Sequence, residues 1–328
     1  MTAIAILLGE GILGDDDRLA AGIDSNRREL LRLPPKGVKT MTTKPATIPA
    51  SEVRVMKSKY TGRKYRISIS LPFASFKSDP DAWPFNEPLD RWPVVYVLDG
   101  NWYFGLITAM VRNMAWFGKW TGDTTDAIVV GIGYPEDKNP QEALCEQVAN
   151  RFYDLTPGRD VEIEKWVEGS VRRPSPTGGG GSFLDFIKHE LIPVIEQDFQ
   201  ADPRKRILAG HSLGGVFTAF ALLEEPGLFD TYIIGSPSLA FGDRFIFKRE
   251  ELFARRRKKL AAKVHLWIGD REETLDDPAV SDVIRFGAIL EGRKYKGLTL
   301  VKQIFADLQH NEVIAPGFLA GLKLALKP

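Results

Sequence analysis

The spacing of apolar residues along this chain changes several times, and each change marks an element. Glu52-Val53-Arg54-Val55-Met56 and Lys64-Tyr65-Arg66-Ile67-Ser68-Ile69-Ser70-Leu71 alternate polar and apolar, as half-buried strands do. Thr61-Gly62 lies between them as a turn, so the pair predicts a hairpin, and Pro72 ends its second strand. From Pro93-Val94-Val95-Tyr96-Val97-Leu98-Asp99-Gly100-Asn101 the apolar run becomes continuous. Strands of a parallel sheet covered on both faces have that pattern. Ala127-Ile128-Val129-Val130-Gly131-Ile132-Gly133 repeats it, with a helix expected between through Leu106 to Met110. That βαβ spacing predicts an α/β fold around a mostly parallel sheet with helices on both faces, the hairpin added antiparallel.

Between these runs the pattern weakens. Residues 78–92 are rich in Pro and Asp and read as a loop, and Tyr134 to Gly181 reads as mostly irregular. Gly178-Gly179-Gly180-Gly181 reads as a flexible loop, without the Lys-Ser/Thr of a phosphate loop. Helical spacing returns from Phe183 to Phe199, where Pro193 predicts a kink and His189 falls on the polar side. Arg206-Ile207-Leu208-Ala209 is a short buried strand, and Val216 to Leu223 a buried helix ending near Pro226 and Gly227. Thr231 to Gly235 and Val264 to Gly269 predict further strands, His265 being structural within the second. Arg244 to Lys263 between them predicts a charged helix, with the cations Arg255 to Lys259 near its C-terminus, where they are favoured. A helix from about Pro278 to Arg293, a last strand from Leu298 to Phe305 and a closing helix from Glu312 to Leu326 complete the order.

Residues 1–48 lack this periodicity. Ile4 to Leu8 is apolar but has no basic flank, and Arg27 to Pro49 is basic and rich in Thr and Pro. A poorly packed extension over 1–48, ahead of a domain over 49–328, is expected, with no secretory signal and hence a cytoplasmic location. Composition adds exclusions. Lys plus Arg number 44 and Asp plus Glu 43 in 328 residues, so the net charge of +1 gives no pull toward nucleic acid or acidic membranes. One cysteine, Cys145, rules out an internal disulfide framework. The histidines, His189, His211, His265 and His310, show no metal-ligand spacing. No metal, cofactor, nucleic-acid or membrane partner is expected, and the oligomeric state stays open.

The chemistry concentrates at Gly210-His211-Ser212-Leu213-Gly214-Gly215, placed where a strand hands over to a helix. Gly-x-Ser-x-Gly in that setting is a nucleophile elbow, with Gly210 and Gly214 expected to relieve crowding around Ser212. The helix N-terminus then offers N–H groups to a developing oxyanion. A serine hydroxyl is a poor nucleophile unless a base takes its proton, and imidazole titrates in the right range. His310, beyond the last strand, is the candidate base; the side chain of His211 is expected to point away. A carboxylate must orient that base. Asp270, Glu272 and Glu273 lie in the turn after an earlier strand, with Asp276 and Asp277 further on. Serine, then acid, then histidine is the chain order of the α/β-hydrolases.

Taken together, Val94 to Asn101, Arg151-Phe152-Tyr153-Asp154-Leu155-Thr156-Pro157, Gly178 to Phe186, Glu190 to Pro193, the elbow, Ser236-Pro237-Ser238, Gly269-x-x-Glu272 and Phe305 to His310 resemble one branch of that fold. It is the branch of enterochelin and salmochelin esterases, esterase D-like enzymes and mycolyltransferases, and the likeness covers roughly Glu52 to Leu326. The resemblance implies a serine esterase with Ser212 as nucleophile, His310 as base and Glu272 as acid, although some siderophore esterases work with a Ser-His pair. It also implies an oxyanion hole from the backbone N–H groups of Leu213 and Asn101, Asn101 ending an earlier strand. Arg151, in the 134–181 insertion, is the expected contact for an anionic oxygen of a small-molecule ester, with Trp166 and Tyr153 available to stack on a ring. Acyl transfer to another alcohol, or a non-catalytic binding module, are the alternatives.

Overall fold

Strands that are apolar on both faces fold only where both faces are covered. The computed structural model describes residues 46–72, 75, 90–121, 124–275 and 277–327, without the side chains of 117–121. The expected extension over 1–48 and the expected loop over 78–92 fall almost entirely outside these residues. The strands are β1 (Ser51–Lys57), β2 (Lys64–Ser70), β3 (Trp92–Val97), β4 (Ile128–Gly133), β5 (Ala201–His211), β6 (Thr231–Gly235), β7 (Lys259–Gly269) and β8 (Lys296–Phe305). They form one sheet in the order β1-β2-β4-β3-β5-β6-β7-β8. β1 pairs antiparallel with β2, and β2 antiparallel with β4, so the expected hairpin extends the main sheet. All remaining pairs are parallel. Every residue of β3, β4 and β6 is buried, which explains their unbroken apolar runs.

The helices are α1 (Gly100–Thr121), α2 (Pro140–Asp154), α3 (Val161–Val171), α4 (Gly180–Phe186, Ile187–Leu191 and Ile192–Asp198 in series), α5 (Leu213–Glu224), α6 (Phe241–Arg256), α7 (Ala279–Arg293) and α8 (Ile314–Ala325). Residues 49–328 form one unit. No helix among the described residues is long and apolar enough to cross a membrane.

Four expectations need correction. The 134–181 segment is not irregular but carries α2 and α3. Asn139 caps α2 by accepting from the N–H of Glu142, and Asp160 caps α3 by accepting from that of Ile163. The glycine run is not a free loop either, since Gly180 opens α4. Pro193 does not simply kink its helix: the middle segment of α4, Ile187–Leu191, is a π turn, in which the N–H of Ile192 reaches the carbonyl of Ile187. A proline has no N–H to continue the ordinary ladder, and the wider turn lies just ahead of it. The charged helix stops at Arg256, and β7 starts at Lys259 with alternating exposed and buried residues.

The insertion is bolted to the sheet by one buried carboxylate. Asp154, the last residue of α2, accepts hydrogen bonds from the hydroxyls of Tyr65 on β2 (3.0 Å) and Tyr134 just after β4 (3.1 Å). Arg63 lies 3.8 Å from its other oxygen. Burial pushes the Asp154 carboxyl up to about 7, against the charge of Arg63 and the two phenol donors. Folding therefore favours its protonated form. Its contribution to stability is full below about pH 4 and is lost as the pH rises through about 7. Urea-unfolding midpoints should accordingly fall less between roughly pH 5 and pH 9 in Asp154→Asn than in the wild type. Identical pH slopes would show that Asp154 does not titrate in this window.

Candidate active site

β5 ends at His211 and α5 begins at Leu213, so Ser212 alone makes the turn. Its backbone sits at φ 61° and ψ −121°, outside the usual range of a non-glycine residue. The N–H of Ser212 donates to the carbonyl of Gly235 (2.9 Å), and its carbonyl accepts from Val216 (3.0 Å). Crowding falls unevenly on the glycines. A Cβ on Gly210 would lie 2.3 Å from the carbonyl oxygen of Gly214, and one on Gly215 2.5 Å from that of Gly235. A Cβ on Gly214 would make only ordinary contact, 3.4 Å from Asp99 Oδ2. Gly210 and Gly215, rather than Gly210 and Gly214, are therefore the positions that require glycine. Asp99 beside Gly214 also puts the end of β3 against the start of α5.

His310 follows β8, and its Nδ1 lies 2.6 Å from Glu272 Oε2, both side chains being buried. With Nδ1–H donating to the carboxylate, Nε2 carries the lone pair. Glu272 closes the single helical turn after β7 (Asp270–Glu272). Its Oε1 accepts from the N–H of Gly269 and the hydroxyl of Ser236, each at 2.7 Å. The loop carrying His310 is tied to the same turn, because the N–H of Arg271 donates to the carbonyl of Leu308 (3.2 Å). Ser212 Oγ and His310 Nε2 are both buried and hydrogen-bond to no protein group. The other acids stand apart: Asp270 is exposed, and Glu273 accepts from the N–H and hydroxyl of Ser281 (3.0 and 2.6 Å). Asp277 is buried beside Thr274, to which its N–H donates (3.0 Å), while Asp276 lies outside the described residues.

The two oxyanion candidates are both first-turn N–H groups, which have no acceptor within their own helix. Leu213 opens α5. Asn101 does not end a strand; it is the second residue of α1, after Asp99 turns the chain at φ 52°.

Arg151 lies in the last turn of α2 and is 2% exposed. Its Nε donates to Asp99 Oδ1 at 2.8 Å. Burial pushes the Asp99 carboxyl up, opposed by this guanidinium. Arg151 Nη2 is buried without a hydrogen-bond partner, and the ring of the half-exposed Trp102 lies 5.5 Å from the guanidinium carbon. Tyr153 and Trp166 are occupied elsewhere: Arg63 covers the Tyr153 ring at 4.0 Å, and Trp166 packs edge-on to Phe152.

One neighbour escaped the sequence. The His211 ring lies tilted against that of His310, the centroids 4.4 Å apart. It stacks on Trp267 (5.5 Å), with the Tyr103 hydroxyl 3.3 Å from its Nδ1. Burial, with His310 and Arg151 near, holds His211 well below the usual imidazole range, so it stays neutral. Trp267 in turn sits between Gly235 and Gly317, where an added Cβ would come within 2.1 and 2.5 Å of its ring. Nothing in the order of residues announces this contact, because it joins β5, β7 and the His310 loop. His265 is a buried strand residue, lowered to about 4 by burial, and takes no part.

A parallel sheet with a strand-to-helix serine, a buried acid and a histidine after the last strand defines an α/β-hydrolase. Residues 58–284 match the family described as "Putative esterase". The ferri-bacillibactin esterase BesA of Bacillus subtilis is 37% identical over 219 residues, 66% of this chain and 68% of that protein. The apo-salmochelin esterase of Escherichia coli is 29% identical over 271 residues, 80% of this chain and 74% of that protein. The crystal structure of the BES protein from Bacillus cereus superposes with a TM-score of 0.70 at 28% identity, covering 88% of this chain and 99% of that one. The chain belongs to this esterase family and is a carboxylic ester hydrolase.

The hydrogen bonds rank the acids. Glu272→Gln leaves an amide where His310 needs an acceptor, and kcat should fall on the order of 10⁴-fold, as when a triad carboxylate becomes an amide. Ser236→Ala removes one of two donors to Oε1 and should cost about 10-fold, while Asp270→Asn and Glu273→Gln should change kcat less than about 3-fold. Equal losses across the four variants, measured on one chromogenic ester, would overturn Glu272 as the acid.

Proposed function

We propose that Ser212, His310 and Glu272 form the catalytic triad of an esterase whose substrate is a siderophore-type ester. The observation that carries this is the buried chain of hydrogen bonds from Ser236 and Gly269 through Glu272 to His310, whose ring lies 4.4 Å from that of His211, the residue before Ser212. Ser212 Oγ attacks the acyl carbon as His310 Nε2 takes its proton. The carbonyl oxygen becomes an oxyanion, met by the N–H groups of Leu213 and Asn101. The intermediate collapses, the ester C–O bond breaks, and His310 returns the proton to the leaving alcohol. Water repeats the sequence on the acyl-enzyme and releases the acid and free Ser212. Glu272 stabilises the imidazolium that forms twice.

Arg151 completes the proposal. Its guanidinium is anchored through Nε by Asp99, which leaves the buried Nη2 without a protein acceptor. A buried cation with an unfilled N–H suits an anionic oxygen of the bound ester. The names of two relatives, which specify ferri-bacillibactin and apo-salmochelin, support this substrate class. A cytoplasmic setting suits the lone free thiol of Cys145. Residues 49–328 serve as the catalytic unit.

A fluorophosphonate probe should label the protein once, and Ser212→Ala should abolish labelling. Turnover should fall by several powers of ten in Ser212→Ala and in His310→Ala. Wild-type-like activity in either variant removes the triad. For the substrate, kcat/KM should be much higher on trilactone or hydroxamate siderophore esters than on acetyl and butyryl esters, with Arg151→Ala hurting the former most. A flat profile, unchanged by Arg151→Ala, leaves a general carboxylesterase.

A further inference from the structure

Asparagine is a weak helix former because its short amide competes for nearby backbone groups. In the first turn of α1 its expected use is local. The amide of Asn101 instead reaches out of its helix to the end of β4. Its Oδ1 accepts the N–H of Tyr134 (2.7 Å), and its Nδ2 donates to the carbonyl of Tyr134 (2.9 Å) and to Glu136 Oε1 (2.9 Å). Both backbone groups of one residue are thus satisfied by one side chain, at the point where β4 ends and its sheet partners run out.

The approach is close. A Cβ on Gly133 would lie 2.2 Å from Asn101 Oδ1. The far side of the clamp is rigid, since Tyr134 is buried and its hydroxyl donates to Asp154. The N–H groups of Trp102 and Tyr103 turn back to the carbonyl of Asp99 (2.9 and 3.1 Å), which sets the helical turn but does not fix where it stands against the sheet. The Asn101 amide adds three hydrogen bonds from that turn to the chain leaving β4.

We propose that the Asn101 side chain is a positioning group, distinct from its backbone N–H, which locks the first turn of α1 to β4 and so holds that N–H where the oxyanion forms. The proposal rests on the assignment of the Asn101 N–H to the oxyanion hole. Donors of this kind act through preorganisation, and a misplacement of about 1 Å costs as much as 10²-fold in rate.

The test measures kcat and KM on a chromogenic short ester in Asn101→Ala, with thermal unfolding alongside. Asn101→Ala should lower kcat roughly 10- to 100-fold and move KM less than about 3-fold, a split that general loosening of the fold does not give. If Asn101→Ala does not fold, Asn101→Asp replaces it: the shape is kept, but a carboxylate faces the Tyr134 carbonyl and Glu136, and the same kcat loss is expected. A kcat within about 3-fold of wild type in the folded variant overturns the clamp. Neither result touches the triad, which stands or falls with Ser212→Ala and His310→Ala.

Discussion

Ser212 occupies a backbone conformation that costs a non-glycine residue on the order of 1–3 kcal/mol, and the surrounding structure holds it there. Its N–H is spent on Gly235 of β6, and its carbonyl starts α5. Gly210 and Gly215 let α5 approach β5 and β6 more closely than any side chain would allow. α5 is buried along almost its whole length, so the turn cannot relax by moving the helix outward. Because β3, β5, β6, β7 and β8 run parallel, each delivers its following loop to the same edge. Asp99, Ser212, Ser236, Glu272 and His310 are the residues found there, one from each.

Buried carboxylates recur around this edge, and each is stabilised differently. Asp99 is matched by a full charge, Arg151. Glu272 is matched by a neutral hydroxyl, a backbone N–H and an imidazole. Asp154 has two phenols and a distant guanidinium, and it yields to burial by favouring its proton. The task of each differs accordingly: one anchors a cation, one holds an imidazole, and one seals an insertion.

Much of this was legible in the sequence. Period-two and continuous apolar runs located the hairpin and the inner strands, and the order serine, acid, histidine placed the triad candidates. What escaped was set by local chemistry or by distance. Asn139-Pro140-x-Glu142 is a helix-start signature that a count of apolar positions does not register, and with it α2 and the true setting of Arg151 were missed. Lys259 to Lys263 alternates as a strand, but the preceding cations made it look like more helix. Asn101 moved from a strand to a helix because Asp99 turns the chain left-handed, something composition does not encode. The His211 contact joins residues nearly a hundred positions apart.

The slot around Trp267 constrains how this region can change over time. The indole backs the His211 ring and has a glycine on either side, one from β6 and one from α8. A larger residue at Gly235 or Gly317 collides with it, and a smaller residue at position 267 opens a cavity worth about 3–5 kcal/mol. No single substitution at the three positions is neutral, although a coordinated exchange of bulk among them could be. The neighbourhood of the histidine pair is therefore a unit of inheritance, drifting only when three separate elements drift together.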